Sequence, residues 1–224
     1  MESNTNIQLI KSKYIVKQIF DHLKEKKLLI IIKHNKKLQN KLDISINNYK
    51  NYSQIEIEIK PGKDLHGKFI NILNKEDEQY YHIFFNNDEK EIKRSYLTSS
   101  ESIEKIKIII DYQIKSFSCL FKNCECIESI EFINFKRDNI IYMNFMFEGC
   151  IHLSTINLSK FNTENVVYMN HMFDGCISLN ELNLSMFKIG NNVNMVHMFL
   201  LCEKEFRFEI RKKYGMILKS EAFE

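Results

Sequence analysis

The chain has 224 residues, 44% hydrophobic and 27% charged, which is the composition of a folded protein rather than a disordered one. A formal net charge of +3, with no concentrated basic face, gives no reason to expect nucleic acid or a membrane as partner. The first eleven residues lack a signal-peptide core and no apolar run could span a bilayer, so a cytoplasmic or nuclear protein is expected. The abundance of Asn, Lys and Ile, residues with AT-rich codons, points to an AT-rich genome.

In chain order, Ile15, Ile19 and Leu23 fall at i, i+4 and i+8 beside Val16 and Phe20, predicting a helix with Ser12 as its cap. Residues 24–27 read as a polar turn. Leu28, Leu29, Ile31, Ile32, Leu38 and Leu42 follow without turn residues until Asp43, which favours one helix over residues 28–42.

The string over residues 12–23 (SKYIVKQIFDHL), followed by Leu28-Leu29 and the NKKLQ of residues 35–39, resembles an F-box. Ile19, Phe20 and Leu23 match that family's Ile-Phe-x-x-Leu, although Lys11-Ser12 stands where the family carries Leu-Pro. The resemblance implies that residues 1–50 bind the adaptor subunit of a cullin-RING ubiquitin ligase through Ile19, Phe20 and Leu23. An ordinary helical hairpin capping the domain is the other reading.

Residues 51–100 change character. Ile55, Ile57 and Ile59 alternate with Glu56, Glu58 and Lys60 ahead of a Pro61-Gly62 turn, the pattern of a half-buried strand. Residues 69–73 and 80–85 are further strand candidates. A small antiparallel sheet is expected, joined to a strand at residues 103–110 so that no edge is left bare there.

From residue 101 onward the chain repeats. Cys124, Cys150, Cys176 and Cys202 recur every 26 residues, as do Phe121, Phe147, Phe173 and Phe199, then Phe117, Met143, Met169 and Met195. Phe135, Phe161 and Phe187 share the period, which is that of a stacked-repeat architecture. Within each unit Leu-x-x-Leu-x-Leu recurs, as in Leu179, Leu182 and Leu184. Ile103, Ile106 and Ile108 read as an upstream copy; Glu205, Phe208 and Ile210 read as a degenerate last one. Met169, Met172 and Phe173 lie at i, i+3 and i+4, predicting a short helix in each unit, capped by Thr163 or Asn165 and ended by Gly175.

The segment from Tyr168 to Ser185 (YMNHMFDGCISLNELNLS) resembles the BspA-like leucine-rich repeats, over about residues 101–211. That family occurs in bacterial surface proteins, unicellular eukaryotes and large viruses. The resemblance implies a solenoid used for protein contact or adhesion, without enzymatic activity. The expected fold is therefore α/β. A leucine-rich-repeat solenoid of about five short parallel strands with a C-terminal cap (residues 101–224) follows the antiparallel region and the helical segment.

The repeat columns account for the cysteines as small buried hydrophobes. Zinc held by Cys119, Cys124 and Cys126 is disfavoured by the Cys-x-Cys spacing, and no cofactor is expected. No phosphate loop, zinc-protease motif or nucleophile elbow is present, so catalysis is not expected. A protein partner should meet the strand residues that alternate away from the core: Lys105, Ser129, Thr155 and Glu181 in one column, Lys107, Glu131, Asn157 and Asn183 in the next, then Ser159 and Ser185. Two functions remain: a substrate adaptor of a ubiquitin ligase, or a plain scaffold or adhesion-type repeat protein.

Overall fold

A computed structural model describes residues 11–21 and 25–224, which divide into two units, one ending at Ser53 and one beginning at Gln54. In the first unit the described helices are α1 (Lys13–Asp21), α2 (Glu25–Ile32), α3 (Lys36–Leu42) and α4 (Ile46–Ser53). The expected continuous helix over residues 28–42 is broken at Asn35, whose side-chain oxygen accepts the Leu38 N–H at 3.1 Å and starts α3. Asp43, left-handed at φ 58°, closes it. α2 begins at Glu25, where a polar turn was expected. Val16, Phe20, Ile32 and Leu38 form this unit's core, with Leu28, Leu42, Ile44 and Tyr49 packed around them.

The second unit is built on a six-stranded sheet of order β3-β5-β1-β6-β7-β8. Its strands are β1 (Ile55–Pro61), β3 (Tyr81–Phe85), β5 (Ile106–Ile110), β6 (Ile127–Asn134), β7 (Thr155–Asn157) and β8 (Glu181–Leu182). The short strands β2 (Gly67–Lys68) and β4 (Tyr96–Leu97) pair separately. Alternation places Ile55, Ile57 and Ile59 of β1 and Ile106, Ile108 and Ile110 of β5 in the core. The result is mixed α/β, with a core made mostly of sheet and no closed barrel among the described residues.

The sheet corrects the expected strand arrangement. β5, read from sequence as the first parallel repeat strand, runs antiparallel to β1 and β3. β1 sits between β5 and β6 and pairs antiparallel with both, Ile57 facing Ile108 on one side and Phe132 on the other. Three strands are parallel, β6, β7 and β8, in a register that aligns Ile130, Ile156 and then Leu182 at the 26-residue period. Residues 69–73 are not a strand. There Asn71 instead ties its segment to the repeats, its N–H donating to the Leu120 carbonyl at 2.7 Å and its side-chain amide to that of Lys122 at 2.6 Å.

Opposite the strands, the expected short helices are successive turns. The N–H groups of Met172, Asp174 and Cys176 close four-residue turns onto the carbonyls of Met169, His171 and Phe173. Those of Met143, Phe145, Phe147 and Gly149 donate onward to Tyr168, Asn170, Met172 and Asp174 of the next unit. Inter-unit bonds thus take the donors a helix would use, and the backbone needs left-handed residues such as His171 (φ 54°) and Gly175 (φ 71°) to alternate the two directions. Thr163 and Asn165 accordingly cap no helix. They tie neighbouring units through Lys188 and the Asp138 carbonyl.

Side-chain columns stack along the same axis. Rings of Phe121, Phe147, Phe173, Phe199 and Phe223 follow at 5.5, 5.3, 5.6 and 5.5 Å. Met172, Phe173, Cys176, Leu179, Leu182 and Leu184 are all buried. The expected last copy at Glu205, Phe208 and Ile210 is instead the helix α5 (Lys204–Tyr214), which buries Phe206, Ile210 and Tyr214 and leaves Phe208 exposed. The spacing i, i+4, i+8 of those three residues is helical, and it competes successfully with the repeat pattern. No described helix is long and apolar enough to cross a membrane.

Candidate protein-binding groove

The outward face of the sheet is concave, with a groove of about 840 Å³ whose floor is β1, β6, β7 and β8 and whose far wall is α5. Of the ten residues expected to meet a partner, seven line it: Lys105, Ser129, Glu131, Thr155, Asn157, Glu181 and Asn183. Their alternation with the buried Ile130, Ile156 and Leu182 forces them outward.

Lys107, Ser159 and Ser185 are not part of the groove. Lys107 Nζ is held by Glu56 at 2.5 Å across the β5–β1 pair. Ser159 and Ser185 lie in turns beyond β7 and β8, because Asn157 and Asn183 each accept the N–H two residues on at 3.0 Å and end the strand. Sequence reasoning missed the contributions of β1 and α5. Glu58 and Lys60 enter because β1 splits the expected ladder, and Phe206, Glu209 and Lys213 enter because the C-terminal cap is helical. The helical spacing of Phe206, Ile210 and Tyr214 was the available signal for the second.

Charge is unevenly matched along the floor. Lys105 Nζ lies 2.9 Å from Glu58, and Lys60 Nζ lies 2.9 Å from Glu128. Glu131 faces Glu58 directly across the β1–β6 pair, and among the described residues its carboxylate accepts from a neutral donor alone, the Asn157 amide at 3.1 Å. Asn183 accepts from the Tyr214 hydroxyl at 3.2 Å, which fixes α5 against the groove's end.

All six cysteines are free thiols. Those of Cys150, Cys176 and Cys202 donate to the carbonyls of Phe121, Phe147 and Phe173 at 2.9, 3.1 and 3.0 Å. Burial pushes Cys150 and Cys202 up to about 12 and Cys126 up to about 11, where a thiolate is a poor prospect as ligand or nucleophile. Among the described residues no group of three or more His, Cys, Asp or Glu is placed to hold a metal ion.

Three of the histidines have hydrogen-bond partners. His152 donates to the Glu125 carbonyl at 2.7 Å, and His171 bonds Asp174 at 2.9 Å while stacking between Phe145 and His197. His82 sits between Glu91 at 3.0 Å and Asp111 at 3.4 Å.

In the first unit, Phe20 belongs to the core rather than to a contact surface, being 4% exposed. Ile19 is 44% exposed, and Ile15, one turn earlier, is 47% exposed. Leu23 lies outside the described residues.

Residues 115–214 match the family described as "Mycoplasma protein of unknown function, DUF285", a family related to the BspA-like repeats. The match begins at the first turn column and ends with the last residue of α5. Comparison with curated proteins and with solved structures gave no match.

Proposed function

We propose that the protein is a non-enzymatic interaction module that holds a protein partner in the concave groove of a leucine-rich-repeat solenoid. The observation that carries this reading is the convergence of seven outward residues, five from β6, β7 and β8, one just after β8 and one just ahead of β5, on one continuous groove. Polar side chains on a rigid, hydrogen-bonded floor suit recognition, because each is held in place by packing beneath it before a partner arrives. The repeats supply shape, and α5 supplies a stop at one end.

The test uses the full chain as bait, with the double variant Thr155→Arg/Asn157→Arg filling the groove without touching the core. Partners captured by the wild type and lost by this variant support the reading. An identical set of captured proteins with both baits would count against it.

A second reading assigns the helical unit to a ligase adaptor. Ile15 and Ile19 favour it, since they place an apolar stripe one turn apart on the exposed side of α1. With that stripe occupied, the groove would select the protein to be modified. Without it, the chain is a plain scaffold or adhesion-type repeat protein. Recovery of the adaptor by the wild type but not by Ile15→Asp/Ile19→Asp supports the ligase role; no recovery by either removes it.

A further inference from the structure

We propose that the occupant of the groove is an extended segment of a partner protein carrying lysine or arginine, its cations meeting Glu131 and Glu181; this rests on the protein-binding reading above. Three observations carry it. The groove's lysines on the β1 and β5 side are already neutralised, Lys105 by Glu58 and Lys60 by Glu128, each at 2.9 Å. Glu131 and Glu181 line the same floor and have no cation within ion-pair distance among the described residues. Glu131 moreover stands in register with Glu58, and because Glu58 holds Lys105 on its other side, the nearest lysine of the floor is committed away from Glu131.

The wider field agrees. Residues 54–224 hold 25 carboxylates against 21 lysines and arginines, net −4, whereas residues 1–53 hold eleven lysines against four carboxylates. The unit that contains the groove therefore carries a net charge opposite to that of the proposed segment.

The lattice of the sheet sets a spacing. In register, Ser129, Thr155 and Glu181 follow one another across β6, β7 and β8, and Glu131 is two residues along from Ser129. Two strand steps and two residue steps separate the carboxylates by on the order of 12 Å. In an extended segment, side chains four residues apart on one face are separated by about 13 Å, so lysines at i and i+4 reach both carboxylates together.

The test measures binding of three fluorescein-labelled undecapeptides of Ser and Gly to the full chain by anisotropy. They differ at positions 4 and 8, which are both Lys, both Glu or both Ser. The Lys peptide is expected to bind at least tenfold more tightly than the others, and Glu131→Gln/Glu181→Gln should remove that advantage. The exposed pair Glu89→Gln/Glu125→Gln, outside the groove, should leave it intact. Equal binding of all three peptides, equal loss with both variant pairs, or no binding by the Lys peptide overturns the proposal. Partners that the groove-filled variant fails to capture, but that bind independently of Glu131 and Glu181, would overturn it while leaving the module reading in place.

Discussion

The thiol of Cys176 donates to the carbonyl oxygen of Phe147 in the preceding unit, 3.1 Å away, and Cys150 and Cys202 repeat the contact with Phe121 and Phe173. Each Phe carbonyl also accepts the N–H of its own unit's cysteine, so one oxygen joins a turn to the unit stacked on it. A thiolate there would be stripped of water in a dry core, and that desolvation raises these groups.

The first prediction is an alkaline loss of stability. Native Cys150 and Cys202 hold their protons to about 12, while in the unfolded chain they ionise near the ordinary thiol value of 9.0. Between those values the native state binds more protons than the unfolded one, so stability, fully present below 9.0, falls as pH rises toward 12. Each such thiol should contribute a loss on the order of 1 kcal/mol per pH unit. Urea midpoints measured from pH 8 to 11 will show the decline, and replacing Cys150 and Cys202 with Ala should make it shallower, the remainder coming from Cys124, Cys126 and Cys176, which burial also raises.

The phenylalanine column gives a packing prediction. Phe173 is fully buried, with Phe147 stacked at 5.3 Å on one side and Phe199 at 5.6 Å on the other. Phe173→Ala removes both ring contacts and opens a cavity, at a cost of about 3–5 kcal/mol. Leu182→Ala, at the edge of the same core, should cost about 2–5 kcal/mol. Chemical denaturation reads both. A value below 1 kcal/mol for Phe173→Ala would contradict the packing.

Much of this was legible because a 26-residue period acts on every layer at once. A column of identical residues, such as Phe121, Phe147 and Phe173, can only mean that successive units put them in the same place. What the period concealed was its own limits. The Ile106–Ile108–Ile110 alternation fits a repeat strand and an antiparallel partner of β1 equally well. The choice was made by β1, whose alternating isoleucines pair with β5 and β6 together. Residues such as Met169, Met172 and Phe173 likewise carry helical spacing, yet the N–H groups of Met169 and Phe173 are drawn to Asn194 and Met198 of the neighbouring unit, a non-local competitor that no local pattern encodes. The groove inherited both effects: its floor columns were readable, and the strand inserted into it was not.

Gly149 and Gly175 occupy the same place in successive turns, at φ 70° and 71°. A Cβ at Gly175 would find nothing nearer than the Gly149 backbone at 3.6 Å, whereas one at Gly149 would meet the Asn123 side-chain oxygen at 2.1 Å. Gly175→Ala should therefore cost about 1 kcal/mol through backbone strain alone. Gly149→Ala should cost more, and Asn123→Gly in the same chain should recover the difference. Equal costs in the two single variants would show that the Asn123 contact yields freely.

The last prediction separates core from surface in the helical unit. Phe20 and Val16 anchor α1 against Ile32 and Leu38, while Ile15 and Ile19 project away on the other side. A unit of about fifty residues has little stability to spare, so Phe20→Ala, at about 3–5 kcal/mol, should unfold it. Ile15→Asp/Ile19→Asp removes only exposed apolar surface and should leave folding within about 0.5 kcal/mol of wild type. Loss of binding in Phe20→Ala would thus say nothing about docking, although Phe20 lies in the string that resembles an F-box. Circular dichroism must first show α1–α4 intact in the aspartate variant. Adaptor binding measured on that variant then reads the exposed stripe alone. Wild-type affinity there would place the contact elsewhere on the unit, whereas loss with the helices preserved would assign it to Ile15 and Ile19.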